Sequence, residues 1–84
     1  MLIIGIQYIY MMANLNKMYQ VFIGKKVRSI RESMGISQEQ LGELAKVHRT
    51  YVGMVERGEK NITIFNLRRF ADALGVKVRD LIDF

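Results

Sequence analysis

Residues 38–57 read Gln38-Glu39-Gln40-Leu41-Gly42-Glu43-Leu44-Ala45-Lys46-Val47-His48-Arg49-Thr50-Tyr51-Val52-Gly53-Met54-Val55-Glu56-Arg57. Two short helices separated by three or four residues give the arithmetic of a helix-turn-helix. Leu41, Leu44 and Ala45 are the expected buried face of the first helix; Tyr51, Val52 and Val55 are the apolar positions of the second. Such helices cross closely, so a small residue is needed inside the first, and Gly42 fits. Leu41, Ala45, Val47, Val52 and Val55 are expected to lock the pair together. Arg49, Thr50, Gly53 and Met54 lie between the core positions and are expected to reach outward.

Helical signals continue on both sides. Ser37 can cap the helix opening at Gln38, with Gln40 placed for a capping box. Upstream, Ile23, Val27, Ile30 and Met34 repeat at four, three and four residues, one face of a helix that Gly35 stops. Lys46-Val47 is the short connection, and His48 can open a helix that runs to about Arg57 and ends at Gly58. Glu59-Lys60-Asn61 is a polar loop. Thr63 caps a fourth helix with Ile64, Leu67, Phe70, Ala71 and Leu74 on one side, closed by Gly75. Val78 to Asp83 is long enough for a short last helix, with Leu81, Ile82 and Phe84 apolar. The expectation is an all-α chain of five short helices.

The composition changes near residue 20, dividing the chain into an apolar N-terminal extension, 1–18, and a domain, 19–84. Residues 2–12 carry no charge. Eleven residues are too few to span a bilayer, which needs roughly 20. Nothing basic precedes Leu2 and no clear cleavage pattern follows, so a secretory signal is not expected. Three readings of the extension stay open: sequence upstream of a later start at Met11, Met12 or Met18, a dimer-packing arm, or a segment packed on its own domain as a strand or helix extension. Residues 3–10 alternate poorly, which gives no basis for a strand. An exposed apolar segment of this size favours association.

The chain has 84 residues, enough for one small domain, and a net charge of +5. A basic excess points to polyanionic partners, nucleic acid before acidic membrane. Zero Cys and one His exclude a disulfide framework, a thiol nucleophile and thiolate or multi-histidine metal sites. No nucleophile–base pair and no phosphate-binding Gly loop is present, so an enzyme is not expected, and no cofactor or metal is implied. The chain lacks a strongly amphipathic basic helix, so no membrane partner is expected. A small cytoplasmic domain is the expectation.

Four stretches carry a resemblance: Gly-Ile-Ser-Gln-Glu-Gln-Leu (35–41), His-Arg-Thr-Tyr-Val (48–52), Glu-Arg-Gly-Glu-Lys-Asn (56–61) and Ala-Leu-Gly-Val (73–76). In this order and spacing the chain resembles the lambda-repressor-like, or Xre-type, helix-turn-helix domains, from about Ile23 to Phe84. The His-Arg-Thr-Tyr-Val and Lys-Asn-Ile-Thr stretches look most like controller proteins of restriction–modification systems. The resemblance implies a five-helix lambda-repressor-like domain that binds double-stranded DNA, usually as a homodimer on a palindromic operator. It implies phosphate contact at Gln38, base reading at Arg49 and Thr50, and a loop position at Lys60 lying against DNA. Two positions depart from the pattern. Lys46 stands where relatives commonly carry Gly at positive φ, and Gly42 stands where Ala is usual; each costs ~1 kcal/mol.

The chemistry of the side chains fits these roles. A guanidinium fork at Arg49 matches guanine O6 and N7, against the alternative of a surface arginine. Thr50 offers a methyl to thymine or a hydroxyl to phosphate. Tyr51 either hands its hydroxyl to phosphate or is core. Gln38 adds a donor at a helix start that already favours anions. His48 caps the third helix or touches phosphate. Lys46, Lys60 and Arg57 flank the reading helix and add salt-dependent affinity, although Arg57 has a rival role in pairing with Glu43 or Glu56. Glu56 is expected to tie the third helix to the loop. Lys25, Lys26, Arg28 and Arg31 are read mostly as solvated face, and Arg68 and Arg69 as surface. Ile62, Ile64, Phe65, Leu81, Ile82 and Phe84 are candidates for a symmetric dimer patch, with ordinary core as the alternative for Ile64, Leu81 and Phe84. The functional expectation is a dimeric, sequence-specific transcription regulator. The alternatives are an antitoxin-like interaction module using the apolar arm, and a prophage-type repressor.

Overall fold

A computed structural model describes residues 2–83, leaving the side chains of residues 2–4 and 13 undescribed. The described residues form five helices: α1 (Leu2–Ser33), α2 (Gln38–Ala45), α3 (Arg49–Glu56), α4 (Ile64–Leu74) and α5 (Val78–Leu81). Val27, Leu41, Val52, Phe70 and Leu81 have no exposed surface and form the centre of the core. Ala45, Val55, Leu67, Ala71 and Leu74 complete it. Every helix of the domain therefore contributes to a single core.

The helix ends follow from local chemistry. The Ser37 hydroxyl accepts from Gln40 N, and the Gln40 side chain accepts from Ser37 N, closing the expected capping box. Thr63 accepts from Asn66 N at the start of α4. Gly35 and Gly75 end α1 and α4 at positive φ. Lys46 ends α2 in the left-handed region, φ 60 and ψ 42, the conformation that was expected to strain a non-glycine residue there.

Two glycines let helices touch backbone to backbone. A Cβ at Gly42 would stand 2.7 Å from the Val47 carbonyl oxygen, so the close crossing of α2 and the turn needs glycine. At Gly24 of α1 a Cβ would lie within 2.2 Å of the Val55 carbonyl oxygen and 2.8 Å of that of Glu56. This second contact presses α1 against the end of α3.

Several expectations are corrected. Of the strand and helix readings of the extension, the strand is set aside: helix α1 runs unbroken from Leu2, and no break in secondary structure marks residue 18. Packing changes there instead: residues 5–12 are exposed, whereas the Lys17 ammonium donates to the Gly58 carbonyl. Leu44 is 56% exposed and Ile64 71% exposed, so neither belongs to the core. Leu44 lines a shallow surface groove with Lys46, Arg69 and Asp72, and Ile64 opens α4 before its buried face begins. Met34 follows the last turn of α1 and is 44% exposed. Helix α5 stops at Leu81 rather than Asp83.

Candidate nucleic-acid interface

Helix α3 is held by a buried polar cluster. Arg31 of α1 donates from Nε to Glu56 Oε2 at 2.6 Å and from Nη2 to Glu56 Oε1 at 3.0 Å. Its Nη1 donates to the Ile36 carbonyl at 2.8 Å. Gln38 Nε2 of α2 donates to the same Glu56 Oε1 at 3.0 Å. Three helices thus converge on one carboxylate. The Glu56 hydrogen bond, outweighing the opposing effect of burial, raises the Arg31 pKa above its ordinary value. This corrects two readings: Glu56 ties α3 to α1 and α2 rather than to its loop, and Arg31 is half-buried rather than solvated. A signal was present, since Arg31 follows Val27 by one turn on the buried face.

The outward residues sit on this frame. His48 is the N-cap of α3, its Nδ1 accepting from Thr50 N at 3.0 Å. That bond requires the neutral ring to carry its proton on Nε2, which leaves an outward donor. Arg49 and Thr50 follow and are both exposed. Arg49 Nη1 lies 3.3 Å from Glu39 Oε2, with 64% and 62% of the two side chains exposed. A pair this exposed is worth at most about 1 kcal/mol, so a stronger acceptor can displace Glu39. Lys46 in the turn before α3 and Lys60 in the loop after it are also exposed.

Other candidates are placed differently. Gln38 is half-buried at the start of α2, with one of its two Nε2 hydrogens given to Glu56. The Tyr51 ring stacks on Phe70 at 6.1 Å, and its hydroxyl accepts from Asn66 Nδ2 at 3.1 Å. It lies on the core side of α3. Gly53 does not reach outward, because the side chains of Arg57 and Gln38 lie over it. Arg57 pairs with Glu59 at 2.7 Å, not with Glu43 or Glu56.

The dimer candidates separate as well. Phe65 is 64% exposed with the Arg69 guanidinium 4.4 Å over its ring, and Ile82 is 43% exposed. Ile62 is half-buried against the core. Leu81 is wholly buried beneath the domain's own helices, so it is core and offers nothing to a partner. Phe84 lies outside the described residues. Among the described residues no helix is long and apolar enough to cross a membrane.

Comparisons with known proteins agree with this geometry. The helix-turn-helix family model matches residues 27–81. Control protein C.BamHI of Bacillus amyloliquefaciens is 42% identical over 77% of this chain and 82% of its own length. Control protein C.SmaI of Serratia marcescens is 45% identical over 71% of each chain. The crystal structure of the restriction-modification controller protein C.AhdI from Aeromonas hydrophila superposes with a TM-score of 0.72 at 40% identity, covering 74% of this chain and 94% of that one. A short α2, a tight turn, an outward-facing α3 and these relatives together assign the chain to the helix-turn-helix family that includes the restriction–modification controllers.

Proposed function

We propose that the protein is a sequence-specific, homodimeric transcription regulator of the controller type, binding double-stranded DNA at a palindromic operator. The observation that carries this reading is the start of α3, where Arg49 and Thr50 stand exposed on a helix fixed by the Arg31–Glu56–Gln38 cluster. An α-helix fits the major groove, and residues at its N-terminal end reach base edges there. Arg49 leaves Glu39 and takes guanine O6 and N7, a pairing worth ~1–3 kcal/mol of discrimination. Thr50 offers its methyl or hydroxyl beside it. The His48 Nε2–H, the backbone amides opening α2, Lys46 and Lys60 contact phosphates and set register without reading sequence. Two copies joined through Phe65, Ile82 and the half-buried Ile62 present two α3 helices to successive major grooves.

Selection from random duplex DNA tests this at ~0.15 M salt, where nonspecific phosphate binding is weakened. The expected product is a palindrome with half-sites about one helical turn apart. Folded protein that enriches no sequence contradicts the reading.

A further inference from the structure

Tyr8, Met11, Leu15, Met18 and Phe22 recur along α1 at intervals of three, four, three and four residues. Apolar residues repeating every 3.5 positions draw a straight stripe on a helix that winds around a like helix. With the domain folded, Tyr8 is still 59%, Met11 54% and Met18 48% exposed. The flanking positions, Met12, Asn14, Tyr19 and Val21, are uncharged. Lys17, the first charged residue, lies off the stripe with its ammonium on the Gly58 carbonyl.

We propose that this part of α1 pairs with the same segment of a second copy as a short, parallel two-helix coiled coil. The parallel sense rests on the dimeric reading above, because it sets both domains at the same end, where two α3 helices can address one DNA duplex. Three observations favour a second copy as the occupant. The stripe is matched by its own repeat, so a two-fold pairing sets each residue against its equivalent. No like charges meet along it. The area is sufficient: Tyr8, Met11, Met12, Met18 and Tyr19 are 40–59% exposed, and at roughly 200 Å² of full surface each they offer on the order of 500 Å² per chain. Two copies bury up to about 1,000 Å² along the arm, the threshold for a specific interface, which a contact between the domains would extend. The stripe also runs toward the domain's dimer candidates, since Phe22 lines a groove with Asp83, the neighbour of Ile82. One two-fold axis can serve both surfaces. A lipid surface fits less well, because residues 2–16 contain no Lys or Arg to draw anionic headgroups.

The chain has no cysteine, so single-cysteine variants give a clean cross-linking test. Met11→Cys lies on the stripe; Asn16→Cys lies off it. Under mild oxidation of the full chain, Met11→Cys is expected to form disulfide dimers at least tenfold faster than Asn16→Cys. Equal rates at the two positions overturn the proposal, as does loss of cross-linking with co-sedimentation on phosphatidylcholine vesicles. Met11→Lys combined with Met18→Lys is expected to raise the dimer dissociation constant at least tenfold by sedimentation, with the domain's thermal unfolding retained. An unchanged constant in a variant that still selects a palindrome sinks the arm and leaves DNA reading intact. Failure of selection in the unmodified chain, with preferential Met11→Cys cross-linking, sinks DNA reading and leaves the paired arm standing.

Discussion

Arg31 and Glu56 join the last turn of α1 to the last turn of α3 through a two-pronged ion pair, with only 12% and 2% of their side chains exposed. Glu56 lies seven residues, about two turns, beyond Arg49, so the pair anchors the C-terminal end of the helix whose N-terminal end carries Arg49. It fixes the reading helix while leaving its outward residues free to meet a ligand. Glu56 also accepts from Gln38, so losing the carboxylate strands two donors on two other helices.

Glu56→Ala is therefore expected to destabilise the domain by about 3–5 kcal/mol, because it leaves a mostly buried guanidinium unpaired. Urea unfolding measures this. Arg31→Ala should cost a similar amount, and the double variant much less than the sum. The Glu56 carboxylate holds the Arg31 pKa above its already high ordinary value, so that group stays charged across the working pH range. Its share of the stability is lost only as pH rises through the still higher folded value.

Lys46→Gly separates stability from binding. Glycine relieves the left-handed strain at φ 60 and should raise stability by about 1 kcal/mol in thermal unfolding. The same change removes a cation from the border of α3. The slope of log affinity against log salt should fall by about one.

Gly24→Ala sets helix propensity against packing. Alanine favours a helix interior by about 1 kcal/mol. At Gly24 its Cβ would collide with the Val55 and Glu56 carbonyls, which are backbone atoms with little room to yield. Net destabilisation of about 1–3 kcal/mol is expected. Gly5→Ala, with no atom within 4 Å of the new Cβ, should be neutral or slightly stabilising in the same unfolding assay.

His48→Ala removes the acceptor for Thr50 N and should cost about 1 kcal/mol, while His48→Asn, which can also cap, should recover most of it. Comparing the two in urea separates the cap from any phosphate contact made by the ring.

The helix-turn-helix was legible because its signals are local. Ser37, Thr63, Gly35 and Gly75 each act within four residues of their own position: the first two start a helix and the two glycines stop one. Leu44 and Ile64 were misplaced because burial depends on where the neighbouring helices lie, which periodicity does not specify. Residues 2–17 left helix as only one of several open readings for a different reason. Ile6, Ile9 and Tyr10 add apolar residues beside the stripe from Tyr8 to Phe22, which blurs the contrast that marks an amphipathic helix, and Asn14 and Asn16 lower helix propensity without breaking the helix. Arg49, Thr50 and Lys60 were found through outward spacing and resemblance. Arg31 and Glu56 needed the fold, because 25 residues separate partners that only the packing of α1 on α3 brings together.

The central claim is that the open end of α3 reads bases through Arg49. Repeating the random-duplex selection with Arg49→Ala beside the unmodified protein tests it most directly. The account predicts that the variant still enriches the palindrome but loses preference at one symmetry-related pair of positions, a change of ~1–3 kcal/mol there, with nonspecific binding retained. An Arg49→Ala selection that returns the same base preferences at every position would contradict it.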